Sequence, residues 1–516
     1  MKRRLIALIL SSLMAAVNLA GCSNKSSNEN IVEEDEVVID EEVSLDFPKD
    51  DFTVETVTVK TSQGDKEVTY NYYTHLCYAS KPVNADYQSL NVKVPVSING
   101  VGIDALNAPI LFKNSVGGYM SAINSDNPEK QNTFTEDIMK KEKGSKDKDS
   151  KVINNADLAL ASGYVVVEPG CRGRDNQFGD GRYYGKAPAA IVDLKAAVRY
   201  LRHNKGVMPG NTDWIISTGV GAGGALSALL GTSGNSSMYE HYLKDIGAAN
   251  EADNIFASAD FCPITDLEHA DMAYEWMYGK VPLSTGKLAE QDISNSLRDF
   301  FVLYQNSLNL KGRGDFGNIT ANNYRDYLLT YYVKPSADKF LKSLSEEERT
   351  AYLKNNSWIT WNDDSSYFTF EDFVQHVGRD KNIPAFDDFN LTLPENILFG
   401  DTDTNAKHFT AFSADRNTAE GGNTVIDDSL RNNINLMNPM YFVKMDNIKC
   451  ADYWWIRQGS SDSNTSLTVL SNLATALENK GKNVNTLLYW DAGHGADEDS
   501  EDFMKWIGDI TGYSIE

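Results

Sequence analysis

Apolar and polar residues alternate early in the chain. Val57 and Val59 are interleaved with Thr56, Thr58 and Lys60, and β-rich runs continue over residues 68–78 and 90–98. A period of two predicts half-buried strands. From residue 108 the rhythm changes. Residues 108–113 and 164–167 are short unbroken apolar runs, as expected of strands buried on both faces. Residues 156–162 read as a helix, as do 188–203, which begin at Pro188 and carry Ile191, Leu194, Val198 and Leu201 along one face. A third apolar run, from Trp214 to Val220, turns through glycines into the Ala/Leu-rich segment that starts at Ala222. Strand and helix in alternation predict an α/β fold with a mostly parallel, doubly wound sheet and right-handed crossovers. The alternation lapses over 281–440, a stretch rich in Asp, Asn, Tyr and Phe with a helix expected over 343–353. It returns with a strand at 453–457, a helix at 466–479, a strand at 484–490 and a last helix at 501–510. A core over 51–280 and 441–516, carrying an inserted lid over 281–440, is therefore expected. No internal repeat is present, which argues against a propeller or solenoid.

The first residues belong to neither part. Lys2, Arg3 and Arg4 precede an apolar run from Leu5 to Ala20, too short for a stable span, so residues 1–21 read as a secretory signal peptide. The run ends in Leu19-Ala20-Gly21-Cys22, which resembles a bacterial lipobox and implies cleavage before Cys22, a lipid on its thiol and an exported protein anchored to a membrane. Residues 22–50 are Ser/Asn-rich and then acidic, and are expected to form a solvated tether. A stretch of Lys, Asp, Gly and Ser over 142–151 reads as a solvated loop.

Composition narrows the partners. The formal net charge is -25, so a nucleic-acid backbone would be repelled. Apolar residues make up 41%, ample for a packed core. Cys77, Cys171, Cys262 and Cys450 are spaced as neither a disulfide scaffold nor a zinc site, and isolated thiols are expected. No motif calls for a cofactor or a metal.

The chemistry centres on Gly219-Val220-Gly221-Ala222-Gly223, a strand-to-helix turn laid out like the GxSxG elbow that presents a nucleophilic serine. Gly221 stands where the serine would be, and no other GxSxG occurs in the chain. Gly117 and Gly118, just after the 108–113 strand, are either a plain turn or a place where backbone N–H groups approach a reacting carbonyl. Asp462 and His494 each follow a late strand, in the chain order of an acid and a base. Of seven histidines only His494 has this context. Ser217 and Ser227 lie in a strand and a helix, away from the turn, and are not promoted to nucleophile.

These segments, with 169–203, 262–276 and the lid sequence Lys381, Pro384-Ala385-Phe386-Asp387, Glu395-Asn396, resemble the bacterial tannases, α/β-hydrolases that split galloyl esters. The likeness covers roughly residues 90–510. It implies that Asp462 and His494 are acid and base, that Ala222 supplies an oxyanion N–H, and that Lys381 and Glu395 grip ring hydroxyls. Read alone, Lys381 and Glu395 would be solvated charges. A third gripping position, an Asp in the family, is Asn464 here, which leaves galloyl and feruloyl groups both open. The implied partner is a small aromatic ester or polyphenol.

Gly221 is the departure from that family. Its backbone suits the strained turn, but the oxygen that would form an acyl-enzyme is gone. Three outcomes follow: a binder of aromatic esters that hydrolyses them barely or not at all, an esterase that uses water or another group, or a surface interaction lipoprotein with a vestigial cleft. A prolyl peptidase, which shares the elbow, is disfavoured by the absence of a propeller.

Overall fold

A computed structural model describes residues 42–123 and 154–515. The expected signal peptide, Cys22, most of the tether and the 142–151 loop lie outside the described residues. Ten strands form one sheet. In chain order they are β1 (Thr53–Thr61), β2 (Gly64–Cys77), β3 (Ser89–Ile98), β4 (Val101–Gly102), β5 (Ile110–Lys113), β6 (Val165–Pro169), β7 (Ile215–Val220), β8 (Ala257–Phe261), β11 (Tyr453–Gly459) and β12 (Asn483–Tyr489). A separate hairpin pairs β9 (Thr360–Asn362) with β10 (Ser365–Tyr367). The sheet runs β1-β2-β3-β6-β5-β7-β8-β11-β12, with β4 on β3. The first three strands are antiparallel and β3 meets β6 antiparallel, whereas every pair from β6 to β12 is parallel. The mostly parallel α/β sheet expected from the alternation is the one found.

The parallel strands are buried on both faces because helices cover both. Val165, Val167 and Ile215 join one apolar cluster, with helices α2 (Ala189–His203) and α3 (Ala222–Thr232), while Val166 and Ile216 join a second, with α1 (Asn155–Ala161) and α11 (Ser500–Thr511). β5 lies between β6 and β7, so the chain leaves β5 to one side and returns on the other. In such a sheet the crevice opens at the strands' carboxyl ends where the direction reverses. The loops after β5 and β7 are brought side by side there, with Lys113 paired to Thr218.

Between β8 and β11 the chain adds no strand to this sheet. It forms α4 (Leu267–Tyr278), α5 (Gln291–Ser307), α6 (Lys334–Ser343), α7 (Glu346–Asn355), α8 (Phe370–Val377), α9 (Asp428–Leu436) and shorter turns, before α10 (Leu467–Asn479) follows β11. Phe301, Tyr324, Phe373 and Ile434 join the same apolar cluster as the sheet. From Glu42 onward the chain is one compact unit.

Two expected boundaries move. The helix expected over 343–353 starts at Glu346 and runs to Asn355, because Ser345 caps α7: its Oγ accepts from Glu348 N and its own N–H donates to the Glu348 carboxylate. Such a capping box starts a new helix rather than continuing the old one. The solvated tether also stops short of residue 50. Phe47 is buried with its ring 4.6 Å from that of Tyr73, and Asn204 bonds both the Phe47 N–H and the Leu45 carbonyl. Two apolar side chains among the acids suffice to dock this stretch. No helix among the described residues is long and apolar enough to cross a membrane.

Candidate active site

At the end of β7 the backbone turns through Gly221 (φ 57°, ψ -116°) directly into α3. A side chain in that region strains the backbone by about 1–3 kcal/mol, and Gly adopts it freely. The approach is tight on either side. A Cβ on Gly219 would stand 2.5 Å from the Gly223 carbonyl, and one on Gly224 would stand 2.8 Å from Phe261 O. A Cβ on Gly221 would meet one group only, the His494 imidazole, with Nε2 at 2.9 Å and Cε1 at 3.5 Å. The ring faces the place where the missing side chain would begin.

β11 and β12 are parallel neighbours, so the loops after them adjoin. His494 Nδ1 is 2.9 Å from Asp462 Oδ2, and Asp462 Oδ1 accepts from the Asn464 N–H at 3.0 Å. Asp462 is 3% exposed. An ionised carboxylate only accepts, so Nδ1 carries the proton and the ring is held with Nε2 toward the elbow. Cys262, just past β8 at φ 47°, accepts from the Gly495 N–H at 3.1 Å through Sγ, and its own N–H donates to Arg457 O at 2.7 Å. Burial, and after it the Asp462 charge, push its thiol far up, so a neutral thiol backs the pair. Cys262, Asp462 and His494 are the described residues whose donor atoms lie close enough to share a metal ion. Their arrangement is that of a carboxylate–imidazole pair, since Nδ1 and Oδ2 are bonded directly to each other. All four described cysteines are free thiols.

The loop after β5 is stapled to the elbow by Asn114. Its Nδ2 lies within 3.1 Å of Thr218 O, Gly223 O and Ser227 Oγ. Ser227 Oγ is also 2.9 Å from Ser217 Oγ in a fully buried contact, so both hydroxyls are engaged away from His494. The N–H groups of Gly117, Gly118 and Ala222 donate to no acceptor among the described residues. Ala222 is the first residue of α3, where the helix dipole favours negative charge. Arg174 locks this loop by donating from Nε to Gly118 O at 2.7 Å and from its backbone to Tyr119 O at 2.9 Å.

Lys381, Glu395 and Asn464 make no direct polar contact with one another. Lys381 sits over the Phe386 ring with Nζ 3.7 Å from its centroid, and its backbone N–H bonds the Tyr274 hydroxyl. Tyr274 and Tyr278 lie on α4. Tyr278, raised mainly by burial, also senses Tyr274 and Asp462, so α4 links the Lys381 segment to the acid. Glu395 lies beside the Gly117–Gly118 loop: its charge raises Tyr119 after burial does, and it is the first counter-charge to half-buried Arg174.

A polar knot holds both segments. Asp387, fully buried, accepts from His408 Nδ1 (2.8 Å), Asn396 Nδ2 (2.7 Å), the backbone of Phe409 and Thr410, and the Thr410 hydroxyl. Asp271 on α4 accepts the Phe386 and Asp387 N–H groups at 2.8 and 3.0 Å. Burial, then the Asp387 charge, push Asp271 up to about 7. Arg174, Cys262, Asp271 and Asp387 fall in stretches that carry the family resemblance, but nothing in the sequence assigned them, Asn114 or His408 these roles.

Sheet order, elbow and paired imidazole define the class: this is an α/β-hydrolase of the esterase type. Within it the BD-FAE family model matches residues 141–295. The Fusobacterium nucleatum tannase is 36% identical, with 91% of this chain and 99% of that one covered and a TM-score of 0.77. A tannin acyl hydrolase in complex with 3,4-dihydroxybenzoate is 33% identical (90% and 98% covered, TM-score 0.77), and one in complex with ethyl gallate is 34% identical (90% and 98%, TM-score 0.76). No curated protein matches. The chain belongs to the bacterial tannase family.

Proposed function

We propose that this protein is an exported lipoprotein, tethered through Cys22, whose cleft takes small aromatic acyl esters and hydrolyses them slowly because Gly221 supplies no attacking oxygen. In this reading Asp462 and His494 are acid and base, the N–H groups of Ala222, Gly117 and Gly118 receive the ester carbonyl oxygen, and Lys381, Glu395 and Asn464 meet the ring hydroxyls. The observation that carries it is the imidazole, bonded through Nδ1 to Asp462 and aimed through Nε2 at the bare Gly221 backbone. Relatives holding 3,4-dihydroxybenzoate and ethyl gallate support the ligand class. The net charge of -25 keeps nucleic acid from being a partner.

The chemistry left to such a site is direct hydrolysis. Water standing where the side chain is missing gives a proton to Nε2 as its oxygen attacks the carbonyl carbon, and the imidazolium returns the proton to the departing alcohol. Oxyanion stabilisation and binding without the nucleophile retain about 10³ to 10⁴ over water. The test is hydrolysis of methyl gallate and methyl ferulate by the protein and its Gly221→Ser variant. The variant should gain a factor of about 10² or more, and equal rates would show that the reaction centre is elsewhere. A second reading, binding with no turnover at all, is favoured by the ring standing only 2.9 Å from the Cβ position. It predicts an unmodified protein no faster than buffer.

A further inference from the structure

The loop that presents His494, residues 490–495, is held differently on its two sides. On the sheet side its backbone is held. The Asp491 N–H donates to Ser460 Oγ at 2.8 Å, the Ser461 N–H donates to Ala492 O at 3.0 Å, and the Gly495 N–H reaches Cys262 Sγ. Gly459, which ends β11, permits the close approach, since a Cβ there would stand 2.1 Å from Ala492 O. These contacts seat the loop on the ends of β8 and β11.

On the other side two of its side chains are held, by α7, α8 and the stretch between them. Asp491 Oδ2 accepts from the Tyr352 hydroxyl on α7 at 2.5 Å, and Asp491 Oδ1 lies 2.7 Å from His376 Nε2 on α8. A carboxylate only accepts, so both residues donate to it. The Trp490 Nε1–H donates to the same Tyr352 hydroxyl at 2.7 Å. Trp490 is buried, with the rings of Phe368, Phe373 and Trp358 centred 5.8, 6.0 and 6.3 Å from its own.

The backbone records this grip. Asp491 has φ 57°, in the left-handed region. Asp enters that region more readily than most residues, yet still at a cost, and such a conformation persists where its surroundings fix it. Between Asp491 and His494 stand only Ala492 and Gly493, and a Cβ on Gly493 would meet nothing within 4 Å. Asp491 is therefore the last long side chain that anchors the loop before the imidazole. The bond to Asp462 sets the direction of the ring. How closely Nε2 approaches the elbow, 2.9 Å at the Gly221 Cβ position, depends also on where the loop begins.

We infer that Asp491 is a positioning residue, through which Tyr352 and His376 set the approach of the His494 imidazole to the elbow. Asp491 itself meets no reacting atom. Asp462 orients the ring, and Asp491 fixes how far the ring reaches. Helices inserted between β8 and β11 thereby act on the chemistry without contributing a group to it. The inference rests on His494 as the base, as proposed above, and adds that α7 and α8 place it together with the sheet.

Two substitutions separate the contacts from the shape of the turn. Asp491→Gly adopts the left-handed turn freely and drops both contacts. Asp491→Asn tolerates the turn and keeps them, because its Oδ1 accepts from His376 while its Nδ2 donates to the Tyr352 oxygen. In the full mature chain, the low-field proton NMR signal of His494 Nδ1 is assigned by its loss in His494→Gln. The internal reference is the signal of the buried His408 ring, held by Asp387. Asp491→Gly should displace the His494 signal or broaden it away and leave that of His408 in place, and Asp491→Asn should keep both. In the Gly221→Ser background, Asp491→Gly should lower kcat on methyl gallate by about tenfold or more, the scale of a small misplacement. KM should stay within about twofold, and Asp491→Asn should stay within about threefold of its parent in kcat. An unmoved His494 signal in Asp491→Gly, or a kcat that does not fall, would overturn the inference. Loss of both signals would overturn it too, since the contacts would then support the fold at large. A Gly221→Ser protein without activity would remove the ester reading, and the NMR comparison would still decide the role of Asp491.

Discussion

Asp462 and His494 stand at the ends of neighbouring parallel strands, whereas Lys381 and Glu395 stand on segments of 281–440 that no strand of the main sheet carries. The first pair needs little beyond the sheet to meet: register brings the loops together, one hydrogen bond orients the ring, and a thiol and an Asn side chain tie the surroundings. The second pair depends on side chains that are themselves buried and charged. Asp387 gathers His408, Asn396 and three groups of residues 409–410, and Asp271 reaches across from α4 to hold the backbone between Lys381 and Glu395. The Asp462–His494 end is thus a product of strand geometry, and the Lys381–Glu395 end, which the proposed function makes the recognising one, a product of polar burial. The two ends should fail separately.

The largest separation comes from Asp387→Ala. Removing one partner of a buried pair leaves His408 and several N–H groups unsatisfied, at about 3–5 kcal/mol. Hydrogen exchange should accelerate across 381–410 while β7 and α3 stay protected, and gallate binding should be lost. Equal loss of protection at both ends would show that they are one cooperative element.

Smaller changes sharpen the contrast. Lys381→Met and Glu395→Gln should each weaken gallate binding about tenfold, as expected for a hydrogen bond to a charged group, without altering the thermal midpoint by more than a degree or two. Unchanged affinity would return both residues to the solvated surface.

The smallest effect is a pH slope. Asp271 rises from 3.8 to about 7 on folding. A carboxyl raised in the folded state stabilises most below its unfolded value, and that contribution is lost as pH rises through the folded one. His408, held above its ordinary value by Asp387 despite burial, acts with the same sign. Unfolding free energy from Asp271 should therefore fall between about pH 4 and 7, that from His408 should fall only above about pH 6.5, and Asp271→Asn should flatten the first of these falls. A slope unchanged in the variant would mean that Asp271 does not titrate there.

The same division decides how much the sequence revealed. Apolar runs of four to seven residues, separated by helical periods, mark β5, β6 and β7, and glycine spacing marks the elbow, so this part of the sheet and the turn were legible, whereas β8 was not read from the sequence. Asp462 and His494 were found because each follows a strand at the place a hydrolase requires. Asp387 and His408 lie 21 residues apart with no period between them, and Asp271 looks like any polar residue on an amphipathic helix. Their partners are set by tertiary packing, which no local pattern encodes. Phe47 escaped notice for a related reason: its acidic neighbours speak for solvent, while one ring against Tyr73 and two bonds from Asn204 outweigh them.

What the elbow lacks is a single oxygen, and a small shift of the His494 ring from its 2.9 Å approach admits the side chain that would carry it; covalent labelling tests this most directly. The unmodified protein and Gly221→Ser are treated with a small fluorophosphonate, and intact mass and peptide mapping are read after minutes. The account predicts one adduct on the variant, at position 221, and none on the unmodified chain. An unlabelled variant that folds normally, or an adduct on the unmodified chain, would contradict it.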